Sequence, residues 1–383
     1  MIFSAIERLD SSPKANGETE FAFLNRSARS EIGIVRQMVE DWAQEYPAAD
    51  VAEPIARIQS GNDANFRSAC FELILYATLT RLGFTLQPHP ELLNGSQSRP
   101  DFLVRCSDGS EFYLEAVLAS EANDSNPAAE ARIGRALDTL DSAPHANFLV
   151  SIDSEGLPTT QPGGARLRRD VIRWLDSLNP DEVQARFEGQ EAPTLEWNHE
   201  DWILRIQAIP LSAERRGKSQ RLIGAQGGMG GFVDAWTPIR NAVKYKGSKY
   251  GVLDKPFAIA INVDSFHLDR IDEMQALFGQ EEFVFNANNL GAEPQMRRAP
   301  NGAWYGKRGP QYTRVSGVWL FNDLTPYTIA KRRQTLYLNP WAAQPLPESL
   351  LRLPHAFGQN GKMEWIEGLL LREILEVSET WPE

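Results

Sequence analysis

Ile32, Val35, Met38, Val39 and Trp42 recur at three- and four-residue steps through SARSEIGIVRQMVEDWAQEY (27–46). That spacing predicts an amphipathic helix, with Ser27 or Ser30 placed to cap it. VAEPIARIQS (51–60) leads into a second predicted helix, DANFRSACFELILYATLTRLGF (63–84). In it Asp63 is placed to cap, Ala69, Leu73, Tyr76 and Leu79 or Thr80 share a face, and Gly83 is the natural stop. Residues 1–60 therefore read as mainly helical. The period then changes. Phe84–Leu86 is a short extended piece, and Phe102–Cys106 and Glu111–Leu118 flank SDGS, an Asp-Gly turn that signals a hairpin.

Downstream, helix and strand signals alternate. NPAAEARIGRALDTLDSA (126–143) and RLRRDVIRWLDSL (166–178) read as helices, and NFLVSIDS (147–154) as a strand. TLEWNHEDWILRIQAIPL (194–211) reads as a hairpin or two edge strands. IGAQGGMGGF (223–232), with five glycines in ten residues, reads as a mobile loop. DAWTPIRNAVKYKGSKYG (234–251) is a predicted helix with Pro238 in its first turn, and PFAIAINV (256–263) a buried strand. Beyond residue 280 aromatic, Pro- and Gly-rich segments dominate, with SGVWLFN and TLYLNP as strand candidates. The pattern predicts an α/β protein: an N-terminal helical segment (1–60), an α/β core (61–280) and a C-terminal extension (281–383).

Composition changes this picture little and charge somewhat more. Of 383 residues, 42% are hydrophobic and 23% charged, ordinary values for a folded protein. No apolar run approaches the roughly 18–20 residues that span a bilayer, and MIFSAIERLDSSPK lacks the apolar stretch of a secretory signal. Cys70 and Cys106 lie in apolar segments and read as buried thiols of a cytoplasmic protein. The five scattered histidines give no zinc-site spacing. Lys and Arg number 39 against 51 Asp and Glu, a net charge of −12. That argues against coating of nucleic acid by bulk charge, yet leaves room for a local basic groove. The cations do cluster, in ARLRRDVIR (165–173), AERRGKSQR (213–221), KYKGSKYGVLDK (244–255) and KRR (331–333).

The candidate chemistry lies in the hairpin. Alternation along Glu111–Leu118 puts Tyr113, Glu115 and Val117 on one face. Asp101 opens the preceding strand after Pro100, so a tight turn brings Asp101 and Glu115 together on adjacent strands. Two carboxylates there repel unless a cation intervenes, and Mg²⁺ held by oxygen ligands is the natural solution. A third acid, Glu72, interrupts the apolar CFELILY and needs a buried partner: a metal-bound water, backbone donors or an arginine such as Arg67.

An inward Glu on a helix, then Pro-Asp opening a strand, a turn and a strand carrying Glu resembles the PD-(D/E)XK phosphodiesterase superfamily, the restriction-endonuclease-like fold. The matching residues are Glu72, Pro100-Asp101 and Glu115-Ala116-Val117, within about 63–120. KYGVLDKPFAIAIN (249–262) also resembles text that recurs in a bacterial branch of that superfamily. The resemblance implies a mixed-sheet core flanked by helices with an insertion around 121–233, a Mg²⁺ (or Mn²⁺) site at Asp101, Glu115 and Glu72, and a nuclease acting on nucleic acid, DNA by analogy. It departs at Val117, which stands where the motif has lysine.

The helix TPIRNAVKYKGSKYG is the best source of that cation, because Lys246 and Lys249 share a face while Lys244 points largely the other way. A rival assignment makes the helix and strand of 126–153 the pair that follows the hairpin, offering Arg132 and Arg135. The competing function is a catalytically inactive nuclease-like fold that serves as a binding or assembly module. A metal-dependent hydrolase of a small phosphorylated compound is a third. Asp264, His267, Asp269 and Asp272 read as turn and cap residues. GAWYGKRGPQYTR (302–314), with Trp304, Tyr305 and Tyr312 among cations, reads either as a stacking platform for single strands or as a structural loop.

Overall fold

The computed structural model describes residues 1–120, 126–187, 192–219, 221–228, 235–265, 268–285, 295–359 and 362–383. The chain divides into two compact units. One comprises Met1–Ser11, Glu20–Asn123 and Asp234–Glu383; the other comprises Ser12–Thr19 and Asp124–Val233.

The first unit is an α/β structure built on a mixed sheet of eight strands. Their spatial order is Thr85–Pro88, Phe102–Arg105, Glu111–Ser120, Phe257–Asp264, Gly317–Asn322, Gln334–Leu338, His355–Gln359 and Lys362–Ile366. The first three run antiparallel in succession. Phe257–Asp264 then pairs parallel to Glu111–Ser120 on one side and to Gly317–Asn322 on the other. Because it is central and covered on both faces, every residue from Phe257 to Val263 is buried, which is why that segment reads as an unbroken apolar run. The alternate faces feed two clusters. Phe112, Leu114, Ala258, Ala260, Trp319 and Phe321 pack with helices Ser30–Glu45 and Asp63–Arg81. Tyr113, Ile259, Ile261, Val318 and Leu320 pack with helices Trp236–Lys249 and Arg270–Phe278.

Several expectations hold at the level of single turns. The Asp-Gly hairpin turn closes with Cys106 N–H on Ser110 O at 2.8 Å, and Gly109 takes φ +86°, which its missing Cβ permits. Gly83 ends its helix at φ +88°. Asp269 caps helix Arg270–Phe278 through a capping box, as a turn-and-cap residue should, whereas Asp264 is the last residue of a strand and pairs with Arg67 at 2.5 Å. His267 lies outside the described residues. Cys70 and Cys106 are free and buried.

Others need correction. Residues 1–19 carry no helix; the N-terminal helices are Glu20–Arg26, Ser30–Glu45 and Ala52–Ile58, the last within the stretch read as a lead-in. Neither Ser27 nor Ser30 caps Ser30–Glu45: Arg29 holds the N-cap position without a side-chain bond, and Ser27 is buried. Asn62, not Asp63, caps Asp63–Arg81, its side chain accepting from Asn65 N–H at 3.0 Å. That helix is buried at Phe66 and throughout Ala69–Leu79 rather than along one stripe, since it packs on helices as well as on the sheet. Ile223–Gly228 is a strand, not a loop; the remainder of the glycine-rich stretch lies outside the described residues. Trp304 is fully buried against Phe278, ring centroids 5.2 Å apart, so it offers no stacking face.

The second unit has a four-stranded sheet in the order Thr194–His199, Trp202–Pro210, Phe148–Glu155, Ile223–Gly228. The predicted hairpin of 194–211 forms its edge, and Ile223–Gly228 pairs parallel to Phe148–Glu155. Helices Pro127–Asp141 and Gly164–Asp176 supply Leu140, Leu167, Val171 and Leu175 to a core completed by Phe148, Trp202, Leu204 and Ile206. Phe148–Glu155 therefore belongs to a separate sheet. The rival assignment fails on this point: the strand parallel to the hairpin is Phe257–Asp264, and Arg132 and Arg135 bond instead to Pro158 O and the Gln161 side chain.

Among the described residues, no helix is long and apolar enough to cross a membrane.

Candidate metal and lysine site

The hairpin register brings the two acids together. Phe102 pairs with Leu114, so one step further along the antiparallel ladder sets Asp101 across from Glu115. Asp101 Oδ2 accepts the Ala116 N–H at 2.6 Å, which fixes the carboxylate against the neighbouring strand. Among the described residues no donor meets its other oxygen. Burial, and then the charge of Glu115, push the Asp101 carboxyl up to about 7. The Ala116 N–H and Lys246 act the other way, and Glu72 adds to the rise.

Glu115 is buried to 1% exposure on the face that meets helix Trp236–Lys249. That helix delivers three groups to one carboxylate. Lys246 Nζ lies 2.5 Å and Lys249 Nζ 3.4 Å from Glu115 Oε1, and the Tyr250 hydroxyl donates to Oε2. Positions i, i+3 and i+4 of a helix share a face, so the grouping follows from the 3.6-residue repeat. Tyr250 OH also reaches Arg99 O at 3.2 Å, tying the helix end to the chain just before Asp101. Burial, and then the Glu115 charge, raise the Tyr250 hydroxyl pKa far above its ordinary value, so it stays a donor at any working pH.

Glu72 sits apart from this pair. Tyr46 OH donates to its Oε1 at 2.8 Å, and Arg57 Nη2 is bound tightly to its Oε2. The partner considered from sequence, Arg67, instead joins Asp264 and Asp323 at 2.5 and 2.6 Å. Glu72 also converges with Glu53 and His89 to within 4.8 Å, the one such trio of potential ligands among the described residues. Arg57 Nε stands 2.8 Å from Glu53, so a guanidinium already serves both carboxylates of the trio. Arg57→Met leaves Glu72 buried and uncompensated. The expected cost is about 2–4 kcal/mol, reduced from a fully buried pair because Arg57 keeps a quarter of its side chain in solvent. Urea unfolding of R57M against the double variant R57M/E72Q measures it; the second substitution should recover most of the loss.

Val117 occupies no empty slot. It packs in the cluster containing Ile239 and Val243, beneath the helix that carries the lysines. Sequence reasoning missed Tyr46, Arg57 and Tyr250. Tyr250 was open to detection, four residues after Lys246 on the same face. Tyr46 and Arg57 lie 26 and 15 residues from Glu72 on other helical segments, and nothing in the local pattern marks them.

Asp101 and Glu115 offer carboxylate oxygens, the ligand type a hard divalent cation takes; one Asp101 oxygen is without a donor among the described residues, while both Glu115 oxygens accept from Lys246, Lys249 and Tyr250. Compared with protein-family models, curated proteins and solved structures, the chain matches none.

Proposed function

We propose that the protein is a Mg²⁺-dependent nuclease with a restriction-endonuclease-like core, and that DNA is its substrate. The observation that carries this reading is Lys246 at 2.5 Å from Glu115, beside Asp101. In this reading the ammonium that the motif lacks comes from helix Trp236–Lys249, the next helix of the first unit. The order of elements within the first unit supports the same reading: helix Asp63–Arg81, three antiparallel strands, then helix Trp236–Lys249 and a strand parallel to the third.

Asp101 and Glu115 are the residues that would hold Mg²⁺ (or Mn²⁺), which in this position supplies Lewis acidity to a phosphodiester. The chain's own groups do the rest. Lys246 carries the positive charge that the phosphorane-like transition state requires and orients the attacking water by hydrogen bonding. Lys249, longer in reach and more exposed, supports the same charge. Tyr250 fixes the rotamer of Glu115. Glu72 acts through its field on Asp101, its oxygens being committed to Arg57 and Tyr46.

The competing reading, an inactive fold serving as a binding module, rests on Val117 and on the number of donors already on Glu115. The net charge of −12 favours it as well, whereas Lys246 and Lys249 beside the acids favour the nuclease. The assay is plasmid and single-stranded DNA with Mg²⁺ or Mn²⁺, wild type beside Asp101→Ala and Glu115→Ala. Wild type should nick or linearise DNA only with metal, and each variant should lose at least about 10³-fold. A wild-type preparation that neither cleaves nor binds metal by calorimetry sinks the reading.

A further inference from the structure

Helix Gly164–Asp176 in the second unit has a role that the metal and lysine site does not absorb. Its Leu167, Val171 and Leu175 are fully buried at four-residue steps, which fixes the opposite face outward. That outward face carries Arg166, Arg169 and Arg173 at i, i+3 and i+7, with Arg168 on the flank; all four are exposed. Like charges at these spacings repel and destabilise a helix. One carboxylate, Asp170, answers three of them, at 3.6 Å to Arg166, 3.8 Å to Arg169 and 3.6 Å to Arg173, beyond hydrogen-bonding distance in each case. Arg168 has no carboxylate within ion-pair reach among the described residues. The side chains of Arg166, Arg169 and Arg173 remain 65–70% open to solvent, so their donors are free for an outside acceptor. Arg168, Arg169 and Arg173 also line a concavity of about 630 Å³, together with Ala143, Pro144 and one carboxylate, Asp176.

We propose that this helix face binds the phosphate backbone of a nucleic acid. The stripe from Arg166 to Arg173 runs about 10 Å along the helix axis, which matches about three successive phosphates of one strand. Planar guanidinium forks on a rigid helix suit phosphate oxygens better than lysines on a loop. The chain as a whole carries −12, so attraction of a polyanion has to be local, and this stripe is where the sequence concentrates arginine. The choice of nucleic acid among polyanions rests on the nuclease reading above; the place of binding rests on the helix alone.

The test uses the full chain in EDTA, where no cleavage intervenes. Fluorescence anisotropy with labelled duplex DNA, single-stranded DNA and duplex RNA is read across a salt series, beside R168Q/R169Q/R173Q, R168K/R169K/R173K and D170N. The glutamine triple variant should lose at least tenfold in affinity and make the log–log salt slope shallower by about two to three, since each phosphate contact contributes about 0.9. The lysine triple variant should keep most of the slope. D170N, which frees three guanidinia from their shared counter-charge, should bind more tightly. The ranking of the three nucleic acids identifies the backbone preferred. Circular dichroism and thermal unfolding confirm that the variants fold. Equal affinity and slope for wild type and the glutamine variant overturn the proposal, as does wild type that binds anionic phospholipid vesicles but no nucleic acid. Slope loss without any cleavage by wild type removes the nuclease reading and leaves this surface standing.

Discussion

Asp101→Asn should abolish metal-dependent cleavage and at the same time stabilise the metal-free protein at neutral and alkaline pH. The cause is the same in both effects. In the folded state burial and Glu115 push the Asp101 carboxyl up to about 7, from an ordinary value of 3.8. The native state therefore holds this proton more tightly than the unfolded chain. Between the two values the native state binds more protons, so stability falls as pH rises from about 4 to about 7 and is flat above. Below about 4 both states are protonated and the contribution is fully present. At about 1.4 kcal/mol per unit, and allowing for the coupling to Glu115, the loss is on the order of 2–4 kcal/mol. An asparagine never ionises. Urea unfolding in EDTA should thus show wild type and D101N converging near pH 4 and diverging towards pH 8, with D101N the more stable. Added Mg²⁺ should close the gap for wild type alone, because only the ionised pocket gains from the cation. Parallel pH profiles for the two proteins would dispose of the electrostatic account. Undiminished cleavage by D101N would dispose of the metal role.

Lys246→Met should reduce cleavage by about 10²–10³-fold while leaving metal affinity within a small factor, since in the proposed mechanism the ammonium acts on the transition state and not as a ligand. Lys249→Met should cost less: its Nζ stands 3.4 Å from Glu115 against 2.5 Å, and its side chain is 30% exposed against 19%. Lys246→Arg keeps charge on a guanidinium that cannot give up a proton, so it should recover only part of the rate. Single-turnover cleavage with saturating Mn²⁺, beside calorimetric Mn²⁺ titration of each variant, separates these effects. Equal losses for K246M and K249M would remove the geometric distinction between them. A loss of metal binding in K246M would move its role from the transition state to the shape of the pocket. The cleavage measurements also bear on Tyr250, which shares Glu115 with both lysines and should behave as a positioning residue.

How much of this could be read in advance depended on the reach of each interaction. Short-range signals were enough for the hairpin, where Asp-Gly between alternating segments demands a tight turn and the turn then sets Asp101 opposite Glu115. They were enough for the face of Trp236–Lys249, because a 3.6-residue repeat puts Lys246 and Lys249 together wherever the helix lies. They were too weak for Ile223–Gly228, whose glycines suggest a loop but whose backbone completes a ladder with Phe148–Glu155. Ladder hydrogen bonds are contributed by a partner strand about 70 residues away, which a window of ten residues does not contain.

Local pattern alone was enough to place two acids on adjacent strands, an inward glutamate, and two lysines on one face of a helix. Which acid those lysines pair with was set by the long-range packing of the sheet and its helices. Glu115 and Lys246 are 131 residues apart, and the choice between Lys246 and the arginines near 132 turned on which strand lies parallel to the hairpin. It likewise decided that Glu72 answers to Arg57 and Tyr46 and not to Arg67. The physical reason is common to both. Periodicity and turn chemistry act over a few residues and are written in the local pattern, whereas a buried charge is satisfied by whatever group the closing of the sheet and its covering helices brings within about 3 Å.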